Sequence, residues 1–329
     1  MAFQVLLIVV GLALLLCGGD LLVRGASGLA RDLGVTPLII GMSVVAFGTS
    51  SPELAVNVLA ASSGNSGISF GNIFGSNIAN IGLVLGTAAL IRPIGIEAPL
   101  VRREIPMMLL FTGAAIILAL DPLLGRQEAR FSRGDGIILL LLFGVFIFLT
   151  ALSVVRGRAA ADLPGGVESV AATGTRHSIG VDAGLLAIGL LALLGGGRLT
   201  VDAAVALARS AGVSETVVGL TIIAVGTSLP ELATSAMAAR RGAIDLAVGN
   251  IVGSNIFNLL FVMGITSVVA PVIVPARGYA DLAMTAILSI MMLAVSLTRG
   301  RRIFRTEGIV LLALYVAYIA WRTATGSGL

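Results

Sequence analysis

Two glutamates, Glu53 and Glu231, stand 178 residues apart in matching settings, each directly after a proline in the strings GTSSPE and GTSLPE. Both fall inside long apolar stretches, where a carboxylate costs about 2.5 to 3.5 kcal/mol on insertion scales. A chain that accepts that cost twice, at one repeat position, has a use for both groups; the plainer alternative is a protonated Glu that ties helices together. Thr49 and Thr227 lie four residues before their Glu, one turn away on the same helical face, and Ser50 and Ser228 add hydroxyls beside them. Pro52 and Pro230 lack an amide donor and displace the carbonyls of Gly48 and Gly226. A helix bent there turns backbone oxygens inward, including those of Ala46 and Ala224.

A second polar stripe follows in each half. Asn72, Ser76 and Asn80 recur at i, i+4 and i+8, as do Asn250, Ser254 and Asn258, with Gly71, Gly75, Gly249 and Gly253 alongside to permit close helix approach. Interhelical hydrogen bonding is one use for such a stripe and cation lining another; four amides at equivalent depths favour the second. Asn77 and Asn255 point off the stripe and read as structural. Together these groups supply two carboxylates and many neutral oxygens, with no thiolate or imidazole. Hard oxygen ligands suit Ca²⁺, which takes about 6 to 8, or Na⁺, and disfavour a transition metal. Two negative charges balance one divalent or two monovalent ions, a physical basis for mutually exclusive occupancy and exchange.

The elements that must hold these groups are membrane helices. The chain has 329 residues, 57% hydrophobic and 12% charged, with a mean hydropathy of +1.06. Soluble domains average about 45 to 50% apolar and about 25% charged residues. Spans are expected at 4–22, 37–60, 69–91, 104–120 and 136–155, then at 181–197, 215–238, 246–269, 281–298 and 308–322. The fold class is therefore all-α and polytopic, with about ten transmembrane helices; long alternating strands, and with them a β-barrel, are absent. The chain is also a duplication. From Gly41 to Gly86, 22 of 46 residues are identical to those 178 positions later. Five spans per half is an odd number, so the halves, 1–155 and 179–329, should form an inverted pair about an in-plane axis.

All 21 basic residues are arginine. They divide 14 to 7 between the two sets of loops, which puts the richer set in the cytoplasm and both termini outside. Residues 156–178, rich in Gly, Ala and Thr, read as a cytoplasmic linker between the halves. The pI near 10.2 reflects scattered topology signals, not a nucleic-acid surface. Only one histidine, His177, and one cysteine, Cys17, are present, so a His-dependent hydrolase has no machinery and no intrachain disulfide can form. Asp20 at a helix end lacks the deep aspartate partner that an intramembrane protease needs. Apart from Glu53 and Glu231, all fifteen acidic residues, Asp20 included, lie in loops or near helix ends, and Tyr315, Tyr318 and Trp321 read as membrane-interface anchors.

GTSSPE with GNIFGSNIAN, and GTSLPE with GNIVGSNIFN, resemble the two α-repeats of the sodium/calcium exchanger family, within the wider cation/Ca²⁺ antiporter superfamily. The resemblance covers essentially the whole chain. It implies no enzyme but electrogenic Na⁺/Ca²⁺ antiport by alternating access. It carries ion binding onto Glu53, Glu231, Thr49, Thr227, Ser50, Ser228, Ser76, Ser254, Asn80 and Asn258, with the carbonyls of Ala46 and Ala224. Ca²⁺ and Na⁺ are then transported ions, with no cofactor, no obligate protein partner, and a prokaryotic plasma (inner) membrane as the setting. Some members carry Asp where this chain has Asn258; a neutral group there bears on stoichiometry and proton sensitivity. The short central linker leaves no room for the large cytoplasmic Ca²⁺-sensing domain of animal relatives. Ca²⁺/H⁺ exchange and K⁺-dependent Na⁺/Ca²⁺ exchange use the same carboxylates, and an oxygen-lined cation channel is the alternative from another class.

Overall fold

In lipid no water satisfies an open backbone, so apolar runs of this length close their hydrogen bonds within helices. The computed structural model describes residues 1–120, 129–161, 178–211, 224–298 and 300–326. Helix α1 spans Ala2–Leu33. Helix α2 is broken into two arms, Pro37–Thr49 and Ser51–Ser62, bent by 43°, and α3 spans Ser66–Ile91. Helix α4 runs from Leu100–Glu104 into Ile105–Ala119, and α5 spans Arg133–Ala161. The second half gives α6, Ile179–Ser210, and α7, in two arms Ala224–Thr227 and Leu229–Arg241. It continues with α8, Ile244–Val269, and α9, Gly278–Leu297, and α10, Arg305–Gly326. Four short strands lie between helices: β1 (Ile94–Gly95), β2 (Arg130–Phe131), β3 (Val272–Ile273) and β4 (Arg302–Ile303).

Among the described residues, seven helices are long and apolar enough to cross a membrane, and the bent pair α2 makes an eighth. The other two expected spans are α4, whose longer piece has 15 residues, and α7, whose expected first part, 215–223, lies outside the described residues. The same holds for 162–177 of the expected linker, with His177. Helices α1 and α6 run well past the expected ends at 22 and 197. Charged residues interrupt the apolar run there without stopping the helix, because they pair within it: Arg24 with Asp20 at 2.8 Å and Arg198 with Asp202 at 3.6 Å, each one turn apart. Helix α1 stops only at Gly34, whose φ of 64° places it in the left-handed region and lets its N–H cap Arg31 and Ala30.

The repeat-related helices α1 and α6 pack face to face and antiparallel. A Cβ added at Gly18 would lie 2.8 Å from the Gly189 carbonyl oxygen, and one at Gly196 would lie 2.8 Å from the Gly11 carbonyl oxygen, so position rises on one helix as it falls on the other. The halves are interwoven elsewhere. Helix α5 of the first half packs on α8 through Gly136 and Gly264, and α10 of the second half packs on α3, where Tyr315 and Leu312 fill the space left by Gly82 and Gly86. Strand β1 pairs antiparallel with β4, and β2 with β3, so each two-stranded sheet takes one strand from each half. Of the seven long apolar helices α3 and α8 are the most enclosed, while α1, α5, α6 and α10 leave most of their residues exposed at the outside of the bundle. Tyr315 is thus a core residue and not an interface anchor. Tyr318 donates to Asp281, and only Trp321 of the three stays largely exposed.

Gly18→Val should destabilise the α1–α6 pair by about 1 to 3 kcal/mol, because the facing atoms are backbone and cannot yield. Gly113→Ala on α4, where an added Cβ meets nothing within 4 Å, should be neutral. Thermal unfolding of the purified protein in detergent measures both, and equal melting temperatures would contradict this packing.

Candidate cation-binding site

Both proline strings break their helix at the serine before them. Ser50 has φ −88° and ψ 6°, and Ser228 has φ −90° and ψ 5°, after which Pro52 and Pro230 start the second arms in the first turn. Glu53 and Glu231 stand in those first turns, where unsatisfied amides and the helix dipole favour negative charge. The Ala46 carbonyl accepts from the Ser50 N–H at 3.0 Å, and Ser51 Oγ caps the Phe47 carbonyl at 2.7 Å, closing the end of the first arm. Ala224 opens the first described piece of α7.

The polar stripes on α3 and α8 end in wider turns. Asn80–Leu85 and Phe257–Val262 are π-helical, and each segment contains one of the repeat-related asparagines Asn80 and Asn258. Single π-helical turns inside α-helices often occur at functional sites, since the extra residue re-aims the face that follows.

Around the two glutamates, side chains of one half bond to the other. Thr49 Oγ1 lies 3.3 Å from Asn250 Oδ1, and its repeat mate Thr227 Oγ1 lies 3.3 Å from Asn72 Oδ1. Ser50 Oγ donates to Glu231 Oε1 at 3.2 Å. Asn77 Nδ2 donates to the carbonyl of Asn255, its own repeat mate, at 3.4 Å. Glu53, Glu231, Thr49, Ser50, Ser76, Ser228, Ser254, Asn80 and Asn258 are all buried, and Thr227 is half-buried.

Most of these buried groups lack a protein partner among the described residues. Both carboxylate oxygens of Glu53, one of Glu231, the hydroxyls of Ser76, Ser228 and Ser254, and both polar atoms of Asn80 and Asn258 have none. Buried polar groups are ordinarily hydrogen-bonded and buried charges paired, so this concentration of unpaired oxygens fits a cation. No group of three or more His, Cys, Asp or Glu side chains gathers among the described residues, in keeping with a site of two carboxylates and neutral oxygens. Asn250 is engaged at both polar atoms, and Asn72 at its oxygen alone. Their Oδ1 atoms are engaged by Thr227 and Thr49, and Asn250 Nδ2 also donates to Ser235 Oγ at 3.2 Å. Ser235 carries no motif signal of its own; its place one turn after Glu231 is what could have marked it.

Other carboxylates near helix ends are also buried: Glu104, Asp135, Asp182 and Asp281. Each has a partner, namely Arg103 at 3.0 Å, the Ser132 N–H at 2.7 Å, Arg31 at 3.8 Å and Arg322 at 3.3 Å. Asp20 pairs with Arg24 and with Arg241 of α7, the setting of an ion pair and not of a protease. Among the described residues no ion pair is formed by Glu53 or Glu231, whereas Glu104, Asp182 and Asp281 each face an arginine.

Ca²⁺ should raise the melting temperature of the purified protein, since an ion bound only by the folded state stabilises it by mass action. Glu53→Gln should melt no lower than the parent in chelator-containing buffer, having lost an unpaired buried charge, and should lose most of the Ca²⁺-dependent rise. A full rise in Glu53→Gln would remove this residue from the site.

Comparison with known proteins agrees with this architecture. The family model described as sodium/calcium exchanger protein matches residues 3–152 and 181–324. The inner membrane protein YrbG of Escherichia coli K12 is 37% identical, the match covering 95% of each chain. The sodium/calcium exchanger MaX1 of Methanosarcina acetivorans is 31% identical over 95% of this chain and 97% of its own. A solved structure of the sodium-calcium exchanger NCX_Mj, soaked with Na⁺ and Sr²⁺, superposes with a TM-score of 0.81 at 34% identity, covering 96% of this chain and 97% of that one. The chain therefore belongs to the sodium/calcium exchanger family, a family of membrane antiporters and not of enzymes.

Proposed function

We propose that this chain exchanges Na⁺ for Ca²⁺ across a prokaryotic plasma membrane, exporting Ca²⁺ at the expense of the Na⁺ gradient. The observation that carries the reading is the pair Glu53 and Glu231, buried and, among the described residues, without ion pairs and accompanied by unpartnered neutral oxygens. Two negative charges hold one Ca²⁺ or a set of Na⁺ ions, but not both, and mutual exclusion at one site makes exchange obligatory. The ligands are Glu53, Glu231, Thr49, Thr227, Ser50, Ser228, Ser76, Ser254, Asn80 and Asn258, with the carbonyls of Ala46 and Ala224. Neutral oxygens without thiolate or imidazole favour these hard cations over transition metals.

Alternating access is the motion this reading requires, and inverted halves are its usual architecture. Antiparallel packing of the repeat mates α1 and α6, and strand pairs that each take one strand from either half, support the inverted arrangement. In this reading residues 1–155 and 179–329 are the two halves, 156–178 is a cytoplasmic linker, and both termini face outward. The name of the Escherichia coli relative supports the inner membrane as the location.

The test is ⁴⁵Ca²⁺ uptake into proteoliposomes loaded with Na⁺ and diluted into Na⁺-free buffer, with a protonophore present and K⁺-loaded vesicles as control. Uptake that needs internal Na⁺ and falls to the control level in Glu53→Gln and Glu231→Gln is expected. Na⁺-independent uptake that follows an imposed pH gradient once the protonophore is omitted would replace this reading with Ca²⁺/H⁺ exchange. Single-channel currents would replace it with a channel.

A further inference from the structure

Two halves built from one repeat should surround the central site alike, so places where they differ mark a difference between the two ways out of it. In the second half the side chain four residues beyond the glutamate is satisfied, while the hydroxyl of Thr234 beside it is buried without a partner among the described residues. Ser235, four residues after Glu231, accepts from Asn250 Nδ2 at 3.2 Å, and Asn250 Oδ1 in turn faces Thr49. The facing helix end carries an alanine and, beyond it, an arginine. Ala88 of α3 is fully buried, and Arg92, one turn further on the same face, lies against Gly242 at the end of α7, where an added Cβ would be 2.7 Å from Nη1.

The first half keeps the geometry and changes the residues. Asn57 stands where Ser235 stands in the other half, and Thr266 stands where Ala88 does. Asn57 Nδ2 is folded back onto the Glu53 carbonyl at 2.6 Å, and Ser69 Oγ of α3 holds the Asn57 carbonyl at 3.0 Å. Asn57 Oδ1, Asn72 Nδ2 and Thr266 Oγ1 have no partner among the described residues, although Asn57 and Thr266 are each 0% exposed. The last turns of α8 pack against the second arm of α2 as the last turns of α3 pack against α7. Thr266 and Asn57 thus stand on two segments that pack on each other. Ser267 is turned away, its Cβ 3.0 Å from the position a Cβ would take at Gly136 of α5.

We propose that Asn57, Asn72 and Thr266 form a second cation site, one helical turn from Glu53 on this side alone, and that its occupant is a partly hydrated Na⁺. The inference rests on the Na⁺/Ca²⁺ reading above and adds a step to it. Enclosed polar groups without partners are costly, and a ligand relieves the cost. The donor set is neutral, so it lacks the charge that draws Ca²⁺ from water and suits a monovalent ion that keeps part of its hydration shell. Turning the Asn72 amide over presents its oxygen while Nδ2 reaches Thr227 Oγ1. One turn of helix is about 5.4 Å, close enough for the Glu53 carboxylate to attract the ion and receive it next. The arginine distribution puts this end of α2 on the outer side, making the site a staging post for entering Na⁺.

The experiment writes one half into the other. Thr266→Ala and Asn57→Ser copy Ala88 and Ser235, Thr266→Val keeps the shape and loses the hydroxyl if alanine weakens the fold, and Ser267→Ala is the control. Na⁺-dependent ⁴⁵Ca²⁺ flux is measured in proteoliposomes with Na⁺ titrated separately on each face. The half-saturating Na⁺ concentration should rise about fivefold on one face in the Thr266 and Asn57 variants. It should stay unchanged on the other face, in Ser267→Ala, and for Ca²⁺ on either face. Unchanged Na⁺ dependence on both faces would mean that the pocket holds water only, and an equal rise on both faces, or a matching rise for Ca²⁺, would return these residues to the central site. Either result overturns the second site while leaving exchange intact, whereas a parent protein without Na⁺-coupled flux overturns the exchange reading and this one with it.

Discussion

Two carboxylates held deep in an apolar molecule, with no cationic side chain among the described residues paired with either, are the constraint on which the rest of this structure depends. Uncompensated charge in lipid is expensive, and the fold meets the cost with backbone dipoles and neutral oxygens. Both glutamates begin a helical arm, so each sits where free amides favour negative charge. Ser50 reaches across the halves to Glu231. The other oxygens of the pair stay open, together with three serine hydroxyls and the Asn80 and Asn258 amides. An arginine in the same place would make an ordinary buried ion pair, as at Asp182 and Asp281, and would leave nothing for a mobile cation to do.

Keeping that pocket enclosed requires the halves to be interlocked. Each glutamate-bearing helix is broken, and a broken helix in a membrane needs neighbours to cover the groups it frees. Helices α3 and α8 do this, brought close by glycine: Gly253 of α8 sits so near the first arm of α2 that an added Cβ would lie 2.6 Å from the Met42 carbonyl oxygen. The outer helices then cross over, α5 onto α8 and α10 onto α3, and the two strand pairs clip the ends. The long antiparallel pair α1 and α6 stands to one side, joined to the remainder partly through Asp20 and Arg241.

What the sequence made legible was local. Glu53 and Glu231 stand out because their strings repeat at one spacing, and helices 37–60, 69–91 and 246–269 follow from apolar length and small-residue punctuation. The ends of α1 and α6 were not legible, because charged residues that look like a boundary pair with each other one turn apart and prolong the helix. Tyr315 reads as an interface anchor until Gly82, more than two hundred residues earlier, is seen to make room for it. The bond between Thr49 and Asn250 joins residues 201 positions apart, and no pattern within either stripe distinguishes an asparagine that braces a threonine from one that faces a cation. Asn57 and Thr266 carry no motif at all; they gain meaning only beside Ser235 and Ala88.

In the proposed exchange one pocket holds Ca²⁺ or Na⁺, never both. Equilibrium binding of ⁴⁵Ca²⁺ to the purified protein, titrated with Na⁺ at constant ionic strength, tests it without any transport step. The account predicts one Ca²⁺ per chain, complete displacement by Na⁺ in a sigmoidal curve, and no Ca²⁺ bound when Glu53 and Glu231 are both replaced by Gln. Ca²⁺ that stays bound at saturating Na⁺, or that still binds the doubly substituted protein, would contradict it.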